Sequence, residues 1–199
     1  MWYNYYIDNV SGRLEMCSME LRKEEIYTTE FIEALPDGER AELINGNIYF
    51  MAPPRVRHQR MVSILHAKIF NYIESRKGSC EVFPAPFAVY LNNDAYTYVE
   101  PDISVICDKN KLDDKGCNGA PDWVIEIVSP NSKKMDYVIK LFKYKTSGVR
   151  EYWIVDPEKD RITVYYFDDN FMEEYSFKDK VKVNIYDDFE IDFSQINID

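Results

Sequence analysis

Histidine and cysteine are both scarce: 199 residues hold only His58 and His66 of the first, and Cys17, Cys80, Cys107 and Cys117 of the second. No two cysteines stand as Cys-x-x-Cys and the histidines complete no zinc pattern, which excludes the common structural zinc sites. A disulfide framework is not expected in a chain of this size, so the cysteines are taken as reduced, mostly buried thiols of a cytoplasmic protein. No apolar run approaches the roughly 20 residues of a membrane span. The opening Met-Trp-Tyr-Asn-Tyr-Tyr-Ile-Asp has neither the basic nor the apolar region of a signal peptide. Also missing are a Gly-rich phosphate loop, a Walker pattern, a Gly-x-Ser-x-Gly elbow and a His-Glu-x-x-His pair, which removes the usual nucleotide-binding, serine-hydrolase and zinc-protease readings. Positive charge is in deficit: 24 Lys and Arg against 35 Asp and Glu give a net charge of −11. A duplex-binding protein usually carries a basic footprint, so nucleic-acid binding by this chain requires a local basic patch or metal ions.

What is present is an apolar content of 46 % with 16 Tyr and 11 Phe, enough for a core and rich in strand-forming rings. Residues 1–25 form an N-terminal extension and residues 26–199 a single domain. Thr28 to Leu35 predicts a short helix closed by Pro36-Asp37-Gly38. Arg40 to Ile44 and Asn47 to Met51 predict two strands joined by Asn45-Gly46, a strong two-residue hairpin signal. A helix follows from Val56 to Arg76, with Met61, Leu65, Ile69, Tyr72 and Ile73 as its apolar stripe. Strands are expected at 80–83, 87–91 and 96–107, then a polar surface loop over 108–121. Trp123 to Val128 is an almost continuous apolar strand of the kind found at a sheet centre. A helix capped near Ser132 runs to Ser147, followed by strands at 151–155 and 161–167 and a β-rich tail. The order implies an α/β (α+β) fold: a central mixed sheet flanked by helices, with an N-terminal β-hairpin.

Acids interrupt this apolar pattern. Glu126 lies inside Trp-Val-Ile-Glu-Ile-Val (123–128), on the face it shares with Val124 and Val128. Asp102 follows Pro101, which removes a ladder donor and marks a strand start, edge or bulge. Glu42 sits in Glu-Leu-Ile-Asn-Gly (42–46). Ionised carboxylates in apolar strands destabilise a fold unless something compensates them. A divalent cation with oxygen ligands would compensate several at once. On the next helix Asp136, Lys140 and Tyr144 fall at i, i+4 and i+8 as one polar stripe. Arg55, Arg57, His58 and Arg60 gather at the start of the long helix, where phosphate can be held. The plainer alternatives are an acid at a strand end, a Glu126 paired with a nearby base, an ordinary Asp136–Lys140 helix pair and a solvated basic turn. His66 is taken as packing or surface.

Taken together these motifs resemble one family. Glu-Leu-Ile-Asn-Gly-Asn-Ile (42–48), Met-Ala-Pro-Pro (51–54) with His58, Glu-Pro-Asp-Ile-Ser-Val (100–105) and Ala-Pro-Asp-Trp-Val-Ile-Glu-Ile-Val-Ser-Pro (120–130) occur in order. Asp136, Lys140, Tyr144 and Gly-Val-Arg-Glu-Tyr-Trp-Ile-Val-Asp-Pro (148–157) complete the set. The chain resembles the bacterial Uma-type group of restriction-endonuclease-like proteins, a domain of unknown function, over about residues 26–166. The resemblance implies a PD-(D/E)XK nuclease core, with Asp102 and Glu126 as metal-binding and catalytic carboxylates and Glu42 as an additional metal acid. Val128 stands where the strand lysine of that superfamily belongs, so the resemblance moves the catalytic lysine to Lys140 on the following helix.

The reading that follows is an endonuclease dependent on Mg²⁺ or Mn²⁺ that hydrolyses phosphodiester bonds in DNA. Asp102, Glu126 and Lys140 would be catalytic, and His58, Arg57 and Arg60 would bind substrate. Asp136 and Tyr144 would support them, and duplex cleavage would call for a homodimer. Two rivals stand beside it. One is a non-catalytic interaction or nucleic-acid-binding protein on a nuclease scaffold. The other is a structural domain whose acids are paired internally.

Overall fold

The computed structural model describes residues 25–130 and 132–198. The expected N-terminal extension therefore lies outside the described residues, Glu25 excepted. A short helix α1 (Thr29–Glu33) precedes the hairpin strands β1 (Ala41–Ile44) and β2 (Asn47–Phe50), which pair antiparallel. Helix α2 (Val56–Arg76) ends in Lys77 in the left-handed conformation and follows the predicted span. Next come β3 (Glu81–Pro84), β4 (Val89–Tyr90), β5 (Ile103–Ile106), β6 (Leu112–Asp113), β7 (Gly116–Asn118) and β8 (Trp123–Ile127). A π-helical segment (Met135–Lys140) runs straight into α3 (Leu141–Ser147). The chain closes with β9 (Glu151–Asp156), β10 (Arg161–Tyr166), β11 (Phe171–Ser176), β12 (Lys180–Lys182) and β13 (Glu190–Asp192).

Six strands form the central sheet in the order β11-β10-β9-β8-β5-β3. It is mixed, since β8 and β9 run parallel while the other neighbours are antiparallel. The parallel pair needs a crossover, and the π/α3 helix supplies it. Each face of the sheet is covered. Met61, Leu65, Ile69 and Ile73 of α2 pack on Ile103, Ile125, Ile127 and Trp153. On the opposite face Val124, Val128, Tyr152 and Ile154 meet Tyr144 and the hairpin residue Ile44. Strand β8, predicted as a sheet centre, is buried along its whole length. Among the described residues no helix is long and apolar enough to cross a membrane.

Three expectations are corrected. The stretch 96–107 is not one strand: Tyr98 and Val99 make isolated bridges to Leu43 and Val89, and regular pairing starts only after Pro101 and Asp102. The stretch 108–121 is not a plain loop, because β6 and β7 join β4 in a small three-stranded sheet and bury Cys117 and Ala120. Nor are all the thiols reduced. Cys80 and Cys107 form a disulfide, because the register Glu81–Ile106 between β3 and β5 brings their neighbours face to face. Cys117 is a free, buried thiol.

Candidate active site

The β5–β8 register is the starting point of the site. Ile103, the first residue of β5, pairs with Ile125, and Asp102 just before it comes near enough for its charge to act on Glu126. Because Pro101 interrupts the ladder, Asp102 is free to turn its side chain onto the backbone of β8, where the Ile127 amide donates to Asp102 Oδ2 at 2.7 Å. His58, in the first turn of α2, reaches the same oxygen with Nε2 at 3.1 Å, while its Nδ1 is buried without a partner. Burial alone would lower the His58 pKa, but its hydrogen bond and charge contact with Asp102 raise it above the ordinary value.

Glu126 projects from β8 to the face opposite α2, as its alternation with Ile125 and Ile127 requires. There it accepts a hydrogen bond from Tyr144 at 2.7 Å and one from Lys140 Nζ at 2.9 Å, both on Oε1. The same ammonium lies 2.8 Å from Glu42 Oε1. Glu42 is held on β1 and also accepts from the Glu100 amide at 3.0 Å. The side chains of Glu42, Glu126 and Lys140 are each 5 % exposed, so these ions see little water. Burial pushes the Glu126 carboxyl well above its usual range, and Asp102, Asp136 and Glu42 add to this against the opposing pull of Lys140. Burial works to lower the Lys140 ammonium, yet Glu126, Glu42 and Asp136 outweigh it and hold it well above the lysine value.

The π-helical segment explains how one helix places three groups in this cluster. A step of four residues overshoots a regular α turn by about 40°, whereas the wider i→i+5 turn undershoots. A π turn from Asp136 to Lys140 followed by an α turn to Tyr144 keeps all three on one side, and all three are buried. They were expected as one polar stripe; that stripe faces inward, and Val138 and Phe142 are the exposed residues of the segment. Asp136 is pushed up to about 6, chiefly by burial.

Not every predicted site residue joins the cluster. Arg60 donates to the Ile198 carbonyl at 3.0 Å. His58 does reach the cluster, through its contact with Asp102. Arg57 is exposed near the turn 157–160, where Arg55, Arg57 and the hydrogen-bonded Lys133 gather around Glu158. His66 stacks on Phe70 as packing. Sequence reasoning passed over Glu100, Arg40 and Tyr98: Arg40 Nε donates to Glu100 at 2.8 Å and the Tyr98 hydroxyl donates at 2.5 Å. The position of Glu100 beside Pro101-Asp102 was the available signal.

The donor chemistry suits a hard cation, since Asp102, Glu126, Glu42 and Asp136 offer carboxylate oxygens. In this arrangement Lys140 lies between two of them. Among the described residues no three His, Cys, Asp or Glu side chains converge closely enough to hold a metal ion.

Comparison with known proteins follows the same line. The model of the Uma2 family, described as "Putative restriction endonuclease", matches residues 28–198. The uncharacterized protein slr1290 of Synechocystis sp. is 25 % identical over 134 residues, which is 66 % of this chain and 68 % of that protein. A solved structure described as a "putative nuclease belonging to DUF820" from Anabaena variabilis is similar with a TM-score of 0.70 at 20 % identity, covering 85 % of this chain and 96 % of that one. That likeness establishes a shared fold.

Proposed function

Given that this chain belongs to the Uma2 family of restriction-endonuclease-like proteins, we propose that it is a metal-dependent endonuclease acting on phosphodiester bonds of DNA. The observation that supports the reading is that Asp102 accepts from the Ile127 amide, the residue after Glu126, while Lys140 lies 2.9 Å from Glu126 although the strand position of the usual lysine is Val128. A Mg²⁺ or Mn²⁺ ion held by Asp102 and Glu126, with Glu42 beside them, would polarise the phosphate and acidify a bound water.

The chain's own groups have separable tasks. The Ile127 amide and His58 fix Asp102 Oδ2, so a ligand would have to approach through Oδ1. Lys140 holds positive charge against the acids and would stabilise an anion developing on the phosphate. Tyr144 and the Glu100 amide fix Glu126 and Glu42 respectively. Arg55, Arg57 and Lys133 supply the local basic rim that a chain of net charge −11 needs to meet a phosphate backbone. Duplex cleavage would use two copies of the site, hence a homodimer.

The test is cleavage of supercoiled plasmid, single-stranded DNA and RNA with Mg²⁺ or Mn²⁺, comparing wild type with Asp102→Ala. Cleavage lost in the variant supports the assignment; cleavage that survives in Asp102→Ala removes it. A second reading, a non-catalytic interaction protein on the same scaffold, is favoured by the enclosure of the Glu42–Lys140–Glu126 cluster, and no cleavage of any substrate would support it.

A further inference from the structure

Strand β3 has a covalent tie at one end and a site acid at the other. In its register with β5, Glu81 stands against Ile106, and the Cys80–Cys107 disulfide closes the next position outward. At the far end the Ala85 amide donates to the Asp102 carbonyl at 3.0 Å. Helix α2 reaches the same residue by a second route, since His58 in its first turn lies 3.1 Å from the Asp102 carboxylate. Only Lys77, Gly78 and Ser79 separate the end of α2 from Cys80. The two elements that support Asp102 therefore meet at the corner that the disulfide pins to β5.

The two sides of that bond are anchored unequally. On β5 the Cys107 amide donates to Asp122 Oδ2 at 2.8 Å, and the Asp122 amide donates to the Val105 carbonyl at 2.9 Å. This side is held without the sulfur. On the other side β3 is an edge strand of the six-stranded sheet. Beside the bond, Lys109 pairs with Glu81 at 2.9 Å, but both side chains are exposed, and exposed pairs add little. Both cysteines are half-buried rather than sealed in the core, so a small thiolate can approach them.

We propose that Cys80–Cys107 is a reversible redox clasp, opened by a low-molecular-weight thiol, whose state sets how firmly β3 holds Asp102. One thiolate attacks a sulfur of the bond, which breaks to leave a mixed disulfide on one cysteine and a thiolate on the other. A second thiolate displaces the cysteine from the mixed disulfide. Two small thiols thus become one small disulfide, and the protein gains two electrons and two protons. The β3 side then loosens, while β5 stays fixed on Asp122. The clasp is independent of the nuclease reading.

The experiment follows amide hydrogen exchange by NMR on the full chain, oxidised and after incubation with reduced glutathione. Alkylation with N-ethylmaleimide and peptide mass read the state of Cys80 and Cys107. Glutathione should open the bond in the folded protein, and glutathione disulfide should close it again. In the reduced chain the Ala85 amide should exchange at least about tenfold faster, with Cys107 and Ile127 within about threefold of their oxidised rates. The Cys80→Ser, Cys107→Ser variant should match the reduced chain. A bond that resists glutathione until the chain unfolds, or a reduced chain whose amides all speed up alike, would make the disulfide a purely structural one and overturn the clasp. Unchanged exchange at Ala85 in the reduced chain overturns it as well.

Discussion

Asp136 is the acid that the fold holds against its own preference. It is almost fully buried, and burial pushes its carboxyl from 3.8 up to about 6, with Lys140 acting in the opposite direction. A folded-state value above the unfolded one means that the native state binds this proton more tightly. The contribution is fully present below about pH 4 and is lost as pH rises through 6. At neutral pH the ionised group therefore opposes folding by roughly 3 kcal/mol. Asp136→Asn should raise the unfolding free energy from urea titration at pH 7.5 by up to that amount, moving the midpoint upward, and leave the midpoint unchanged near pH 3.5. A midpoint that falls equally at both pH values would show that the carboxylate is needed for a contact rather than tolerated. Much of the site's composition was legible at this scale: Glu126 inside an apolar run, Asp102 after a proline, and the spacing of Asp136, Lys140 and Tyr144 all stand out. The partners were not. The Ile127 amide on Asp102, the Glu100 amide on Glu42 and the Tyr152 hydroxyl on the Asp136 carbonyl depend on strand register, which joins residues 16 to 58 positions apart.

At the scale of elements, the hairpin between β1 and β2 sets the position of Glu42. Its turn residues have positive φ, 51° at Asn45 and 80° at Gly46, which is why Asn-Gly could be recognised in advance. A Cβ on Gly46 would stand 2.6 Å from the Ile26 side chain, whereas one on Gly38, also at positive φ, would meet nothing within 4 Å. Gly46→Ala should therefore destabilise by roughly 2 kcal/mol and Gly38→Ala by about 1 kcal/mol or less, measured by urea unfolding. Equal effects would mean that backbone conformation alone, and not the Ile26 contact, decides the cost. The turn also receives Lys143, whose Nζ donates to Asn45 Oδ1 at 2.7 Å, so the hairpin and α3 brace each other. Long periodic elements such as α2 and β8 were legible because their apolar spacing is sustained. The π-helical segment was not, since a widened turn leaves Val138 and Phe142 facing outward with no change in local composition. The polar stretch around β6 and β7 was misjudged because strands of two and three residues carry no periodicity. The Cys80–Cys107 bond follows from cross-strand register rather than from cysteine spacing.

The whole molecule has a sheet with two edges and a surface rich in acids. One edge is β11, six residues with exposed Phe171 and Met172, backbone groups of the kind that recruit a further strand. Its middle is Glu173-Glu174. When two copies align antiparallel about a two-fold axis, the central registers set Glu173 against Glu174, Glu173 against Glu173, or Glu174 against Glu174. Like charges directly opposite destabilise each of these pairings, and the net charge of −11 adds long-range repulsion between copies. Glu174 also meets Arg161 on the neighbouring β10, at 3.2 Å, so it serves its own sheet while guarding the edge. Exchange of both acids for threonine keeps strand propensity and removes the repulsion. The Glu173→Thr, Glu174→Thr variant should therefore gain a concentration-dependent larger species in sedimentation velocity at about 150 mM salt, where the Debye length is about 8 Å. Wild type should gain association through this edge only as salt is raised and the acids are screened. A variant that sediments like wild type at every concentration would mean that twist and the exposed rings, rather than charge, keep this edge single, and any dimer would then have to form through another face.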